Sequence, residues 1–216
     1  MSHSANPRPF QEKHTAEKYA EKRYKGMFQR LVNKREQAIA KRLLHAESGS
    51  QVHAIDLPCG YGRFYALLKE LGFRVTALDQ AEEMVRVCQK LHDFGDEDQA
   101  MTADVLKPLP AEAKDANVAF SARLFQHLHT SEVRVQALKT LGSNNRRVVM
   151  SYYDSGCLHY WTKRLAARLQ GKRVRINMIT REQFESEVAT VGMRVETRIK
   201  LMPGIHAQTW VTLAPA

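Results

Sequence analysis

Three times in this chain a helical stretch runs into a glycine and then into a β-rich strand, and that alternation does most to limit its fold. Residues 63–71 read as a helix stopping at Gly72, with residues 73–78 following as a strand. Leu138 to Gly142 precede a strand at 147–152, and Val188 to Gly192 precede one at 193–199. An apolar run at 52–57 is too short for a helix and is bounded by turn residues, while 81–91 is again helical. Strands alternating with helices of this length make parallel βαβ units. The last two strands, near 193–201 and 206–213, have only a short Met-Pro-Gly-Ile turn between them. A parallel crossover needs about a dozen residues, so this pair is antiparallel. Thr180, with Gln183 three residues on, spells a capping box for the helix that ends at Gly192. The expected fold is α/β: a doubly wound, mostly parallel sheet with a C-terminal antiparallel hairpin.

Of 216 residues, 44% are apolar and 26% charged, which suffices for a sizeable core and excludes global disorder. No apolar run approaches the roughly 20 residues of a membrane span, and the opening residues, which lack an apolar stretch, are not expected to act as a secretory signal. Cys59, Cys88 and Cys157 are odd in number and widely spaced, which suits a reducing cytoplasm and suggests no metal site. The formal net charge is +10. Residues 1–45 hold eleven Lys/Arg against four Glu, hence +7 of it. A second cluster, Lys163, Arg164, Arg168, Lys172, Arg173 and Arg175, contains no acid. After Pro9 a helix is expected, its apolar stripe formed by Tyr24, Met27, Phe28, Leu31, Ile39 and Leu43 and ended by Ser48-Gly49-Ser50. The chain divides on this reading into a basic helical extension, 1–48, and an α/β domain, 49–216.

The stretch from Ala54 to Phe64 turns the first strand into the first helix through Asp56-Leu-Pro58-Cys59-Gly60-Tyr-Gly62. Glycines there let a ligand approach the backbone, and a helix N-terminus offers unpaired N–H groups. Asp79 follows Gly62 by 17 residues, at the tip of the second strand, where an acid accepts ribose hydroxyls. The competing readings are structural: a tight turn for the glycines, a helix N-cap for Asp79, a surface turn acid for Asp104.

These motifs resemble those of class I S-adenosylmethionine-dependent methyltransferases over roughly residues 50–214. Asp56 to Gly62 is similar to the first motif, with Pro58 at its first glycine, a variant known in some small-molecule methyltransferases. Asp79-Gln80, with Met84 behind them, matches the second motif, Asp104-Val105 the third, and the segment from Phe120 and Ser121 to His127 the fourth. The resemblance implies a Rossmann-like seven-stranded sheet that binds S-adenosyl-L-methionine and releases S-adenosyl-L-homocysteine. It also implies that Asp56, Pro58, Cys59, Gly60, Gly62, Asp79, Gln80, Met84, Asp104, Val105 and Ser121 hold the cofactor, with Asp104 receiving the adenine amino group. RNA cytosine-5 methyltransferases use a similar Pro-Cys as nucleophile, but on the fourth strand, so Cys59 on the first is not expected to attack. A dinucleotide dehydrogenase would want a third glycine where Tyr65 stands.

At the acceptor end, His127 is the candidate base, since a neutral imidazole accepts a proton near pH 7. Its alternative role is to open the next helical turn and bond backbone. Arg123 is the candidate clamp for an acidic group. No Asn/Asp-Pro-Pro-Tyr follows the fourth strand, which argues against methylation of a planar amine. The long connection 153–179 is expected to cover the acceptor, with Tyr24, Tyr153, Asp154, His159 and Tyr160 as contacts. Within it Leu158, Trp161, Leu165 and Leu169 oppose Lys163, Arg164, Arg168 and Lys172, as in a lid or membrane-surface helix. The favoured reading is an enzyme, cytoplasmic or peripheral to a membrane, that methylates a small or lipid-like, anionic acceptor. The alternatives are an RNA methyltransferase, with residues 8–42 as a basic arm, and a non-catalytic cofactor-binding partner subunit.

Overall fold

The computed structural model describes residues 26–48, 52–157, 162 and 176–216. Tyr24, His159, Tyr160 and the stripe from Leu158 to Leu169 lie outside the described residues. The chain forms α1 (Met27–His45), β1 (His53–Asp56), α2 (Tyr65–Glu70), β2 (Arg74–Asp79), α3 (Glu82–Leu91), β3 (Gln99–Thr102) and β4 (Val118–Ser121). It continues with α4 (Ser131–Leu141), β5 (Arg147–Tyr153), α5 (Arg181–Thr190), β6 (Met193–Met202) and β7 (His206–Pro215). The seven strands form one sheet in the order β3-β2-β1-β4-β5-β7-β6. Strands β1 to β5 run parallel, and β7 enters antiparallel between β5 and β6. The doubly wound sheet with its antiparallel C-terminal hairpin is thus present as the punctuation of the sequence implied. Among the described residues no helix is long and apolar enough to cross a membrane.

Each sheet face buries its own core. On one face Ile55, Ala119, Met150 and Val211 pack beneath α4 and α5, with Leu138, Phe184 and Val188. Arg134 of α4 and Glu187 of α5 form a buried bidentate pair there, at 2.5 and 2.8 Å. The Gln183 side chain donates to Glu187 (3.3 Å), so only the Thr180 half of the expected capping box forms, with Gln183 N–H donating to Thr180 Oγ1 at 3.1 Å. On the other face Ala54, Val75, Phe120, Val149 and Trp210 meet α1 and α2. Phe64, Phe120 and Trp210 interlock there, centroids 4.8 to 6.0 Å apart.

Helix α1 belongs to that second core, and its register corrects the sequence reading. Val32, Glu36, Ile39, Ala40, Leu43 and Leu44 are its buried residues. Ile39 and Leu43 are inside as expected, but Met27, Phe28 and Leu31 are 88%, 57% and 50% exposed. The first turns of the helix extend past the sheet, so among the described residues no strand lies beneath their apolar side chains. Gly72 and Gly192 close their helices at φ 85° and 70°, whereas Gly142 keeps φ −85°. At that junction the left-handed residue is Asn144, φ 60°.

Candidate active site at the C-terminal edge of the sheet

Parallel strands bring their C-terminal ends to one edge, and the candidate residues follow from strand to strand along it. β1 ends at Asp56, which is buried and whose Oδ1 has no hydrogen-bond partner. Burial pushes its carboxyl well above the ordinary range, Arg63 pulls it down, and Asp79 pushes it further up. An unpartnered buried carboxylate oxygen costs free energy unless a donor reaches it. Beside it Ser121, at the end of β4, is fully buried with an unpartnered Oγ.

The loop after β1 is fixed by backbone bonds. Leu57 N–H donates to Phe120 O (2.9 Å) and Cys59 N–H to Leu78 O (2.8 Å). Pro58, in a cis peptide bond, lies between them. Gly60 N–H donates to Asp79 Oδ2, and Ala81 N–H to Asp79 Oδ1, both at 2.9 Å. Asp79 therefore braces the loop and the start of α3, and the N-cap reading is in part realised. Past β2, Gln80 Nε2 donates to Asp104 Oδ2 (2.7 Å), and Leu106 N–H to Asp104 Oδ1 (3.0 Å). Val105 and Met84 are buried beside them, Met84 packing with Ala81, Val87 and Tyr61.

The two loop glycines differ in what they do. Gly60 has φ +58°, and a Cβ there would meet open space. Gly62 has φ +80°, and a Cβ would sit 2.5 Å from His92 and 2.7 Å from Cys88 Sγ. Packing therefore also requires a glycine at position 62. Gly60→Ala should cost about 1–2 kcal/mol of stability through its left-handed backbone and weaken ligand binding by placing a methyl in the open cradle. Gly62→Ala should destabilise the fold more, because strain and a clash add. Melting curves with and without ligand check the contrast.

Two of the expected site residues have side chains that are already engaged. The Cys59 side chain packs with Ala77 and Cys88, and its backbone is engaged too, its N–H donating to Leu78 O and its O accepting from Gly62 N–H (3.0 Å). A hydrogen bond from its S–H to Cys88, together with burial, pushes its thiol well above its usual value, which keeps it protonated and removes it as a nucleophile. Arg123, expected as a clamp for the acceptor, gives its guanidinium to Glu36 through Nε and Nη2, both at 2.7 Å. Its backbone, at φ 58°, is held by N–H donation to Ser151 Oγ (3.0 Å). Arg63 Nη1 reaches the same Glu36 at 2.8 Å. One buried acid on α1 thus ties the loop after β1 to the loop after β4. Glu36 was missed by pattern reading, yet it left a signal: it is the single acid between residues 22 and 46, and it shares a helical face with Val32, Ile39 and Leu43.

His127 ends a short 3-10 turn, Phe125–His127, with its N–H donating to Leu124 O (2.9 Å) and its side chain exposed. The turn gives it the backbone role, and its imidazole Nε2 lies 3.4 Å from Gln126 Nε2. Tyr153 is buried with Cys157 and Ala207, its ring 5.8 Å from His206. Asp154 pairs with Ile179 as an isolated parallel bridge and accepts from Gly156 N–H (2.8 Å). Its Oδ2 lies 3.8 Å from Lys200 Nζ. Both stand at the end of β5, on the same edge as Ser121.

A methyltransferase domain family matches residues 54–144, from β1 to the turn after α4. No curated protein sequence matches the chain. Among solved structures, the Synechocystis magnesium protoporphyrin IX methyltransferase with bound S-adenosylhomocysteine superposes with TM-score 0.72 at 16% identity, covering 88% of each chain. The same protein with S-adenosylmethionine gives 0.69 at 15% identity, over 94% of this chain and 92% of that one. The PH0226 protein of Pyrococcus horikoshii gives 0.63 at 20% identity, over 82% and 87%. These likenesses show a shared fold.

Proposed function

We propose that the chain is a class I S-adenosylmethionine-dependent methyltransferase and that it transfers the cofactor's methyl group to a small or lipid-like, anionic acceptor. The cofactor half of the reading rests on one observation above all: a buried Asp56 oxygen without a donor, next to the open cradle at Gly60. The residues fit the group. Asp56 would hold the amino group of S-adenosylmethionine, Asp79 its ribose hydroxyls and Asp104 the adenine amino group. When bound, the cofactor supplies a methyl group on a positively charged sulfur, which a nucleophile takes by in-line displacement.

What remains for the chain is to position and to move a proton. Fixing two reactants in line can supply about 7–11 kcal/mol of barrier reduction. The loops after β1 and β4, joined through Glu36, hold that geometry. His127, accessible on the turn after β4, accepts the proton of a hydroxyl or ammonium acceptor. His127→Ala should lower kcat by about 10²-fold or more and leave cofactor affinity unchanged. A change in cofactor Kd would point to a structural role instead.

The acceptor half is supported by charge. Arg30, Lys34, Arg35 and Lys200 are exposed toward the same edge. Residues 32–44, within the basic segment proposed as an RNA arm, pack into the core, which favours a small acceptor over RNA. Transfer of labelled methyl from S-adenosylmethionine should mark anionic amphiphiles or small carboxylic acids in preference to RNA. Label entering RNA alone would reject this acceptor class. Turnover by the isolated chain would exclude an obligate catalytic partner.

A further inference from the structure

The exposed apolar residues of α1 are not scattered. Met27 with Leu31 (i, i+4) and Phe28 with Leu31 (i, i+3) share one helix surface. The direction of α1 places them. Just past its end, Glu47 accepts from Arg147 Nε (2.7 Å) at the start of β5, whereas Arg35 Nε donates to Leu201 O (2.8 Å) near the end of β6. The first turns of α1 therefore project beyond the sheet edge that carries the site. The β6–β7 turn projects past the same edge, closed by Ile205 N–H donating to Met202 O (3.2 Å), and it carries Ile205, 62% exposed.

Charge accompanies these apolar tips. Residues 27–35 contain Arg30, Lys34 and Arg35, all exposed, and no acid. Residues 199–206 add Lys200, whose Nζ lies 3.8 Å from Asp154 Oδ2, and contain no acid of their own, and Glu36 is fully buried. Apolar side chains ringed by cations fit a surface that is anionic outside and apolar beneath. A second copy of this chain would set the same cations against each other. The chain's own residues 1–25, with six Lys/Arg against three Glu, carry the same sign.

The geometry points to a membrane-docking face: Met27, Phe28, Leu31 and Ile205 insert into an anionic bilayer, with Arg30, Lys34, Arg35 and Lys200 on its headgroups. Docked in this way, the strand ends with Asp56 and Ser121 face the bilayer, and the acceptor is an anionic amphiphile drawn from it. The acceptor part rests on the methyltransferase reading above; the docking part does not.

The test is sedimentation of the full chain with vesicles of equimolar phosphatidylcholine and phosphatidylglycerol, and with phosphatidylcholine alone. The expected result is binding to the mixed vesicles only, reversed by high salt. The triple variant Met27→Ser, Phe28→Ser, Leu31→Ser should lose at least about tenfold in partitioning. Its melting temperature and S-adenosylmethionine affinity should stay at wild-type values. Absence of binding to mixed vesicles, or equal binding by the triple variant, overturns the proposal. So does a dimer in solution that the triple variant abolishes, since the face would then join two copies. Failure of the wild type to bind S-adenosylmethionine would sink the methyltransferase reading while leaving the vesicle result to be judged separately.

Discussion

Asp56→Asn should weaken S-adenosylmethionine binding by about ten- to a hundredfold while removing a pH dependence from the stability of the ligand-free protein. Burial raises the Asp56 carboxyl well above its ordinary range, and although Arg63 opposes this, Asp79 adds to it. A group whose folded pKa is raised gives stability that is complete below its unfolded value, about 3.9 for Asp. That stability is lost as pH rises through the folded value. The ligand-free wild type therefore loses stability across that window, and the Asn variant does not. A cationic amino group placed against Asp56 favours the ionised form, so cofactor binding below the ligand-free pKa releases a proton. Calorimetry in two buffers of different ionisation heat reads that release as a difference in apparent enthalpy. The difference should vanish in Asp56→Asn. An equal difference in the variant would assign the proton to another group.

Glu36→Ala should be the most damaging single change on the acceptor side. Glu36 is fully buried and receives three hydrogen bonds at 2.7 to 2.8 Å from Arg63 and Arg123, whose side chains are 11% and 18% exposed. Removing one partner from a buried ion pair costs about 3–5 kcal/mol, because the remaining charge is left uncompensated. In a chain of this size that is a fall in melting temperature of about 10 °C. Burial alone would raise the Glu36 carboxyl, but the two guanidinium groups outweigh it and hold it below its usual value. A depressed carboxylate gives stability present above its unfolded value, about 4.3, and lost as pH falls through the folded one. The wild type should thus unfold more readily in acid, and Glu36→Gln should blunt that dependence. Because Glu36 also orders both loops of the site, turnover by Glu36→Gln should fall even at temperatures where it is fully folded. Turnover unchanged in the folded Gln variant would confine Glu36 to a structural role.

The parts of this molecule legible in its sequence are those governed by local spacing. Asp79 comes 17 residues after Gly62 because one helix and one strand lie between two neighbouring strand ends, and that distance is written in the chain. The hairpin of β6 and β7 was legible because its turn is too short for any crossover. What was not legible depends on residues far apart in sequence. The apolar spacing of Met27, Phe28 and Leu31 continues that of Ile39 and Leu43, but only the second pair has a sheet beneath it. The clash that requires Gly62 comes from Cys88 and His92, 26 and 30 residues on. Arg123 reads as available for an acceptor until Glu36, 87 residues earlier, is brought against it. Spacing identified which residues reach the edge; only the fold identified which of them are already engaged there.

The most direct test of the account is calorimetric titration of the wild-type chain with S-adenosylmethionine, paired with Asp79→Ala. The account predicts one saturable site per chain, competed by S-adenosylhomocysteine. Asp79→Ala should weaken it by at least about tenfold, through loss of the ribose acceptor and of the bond to Gly60 N–H. Absence of binding at about millimolar cofactor, or full affinity in Asp79→Ala, would contradict it.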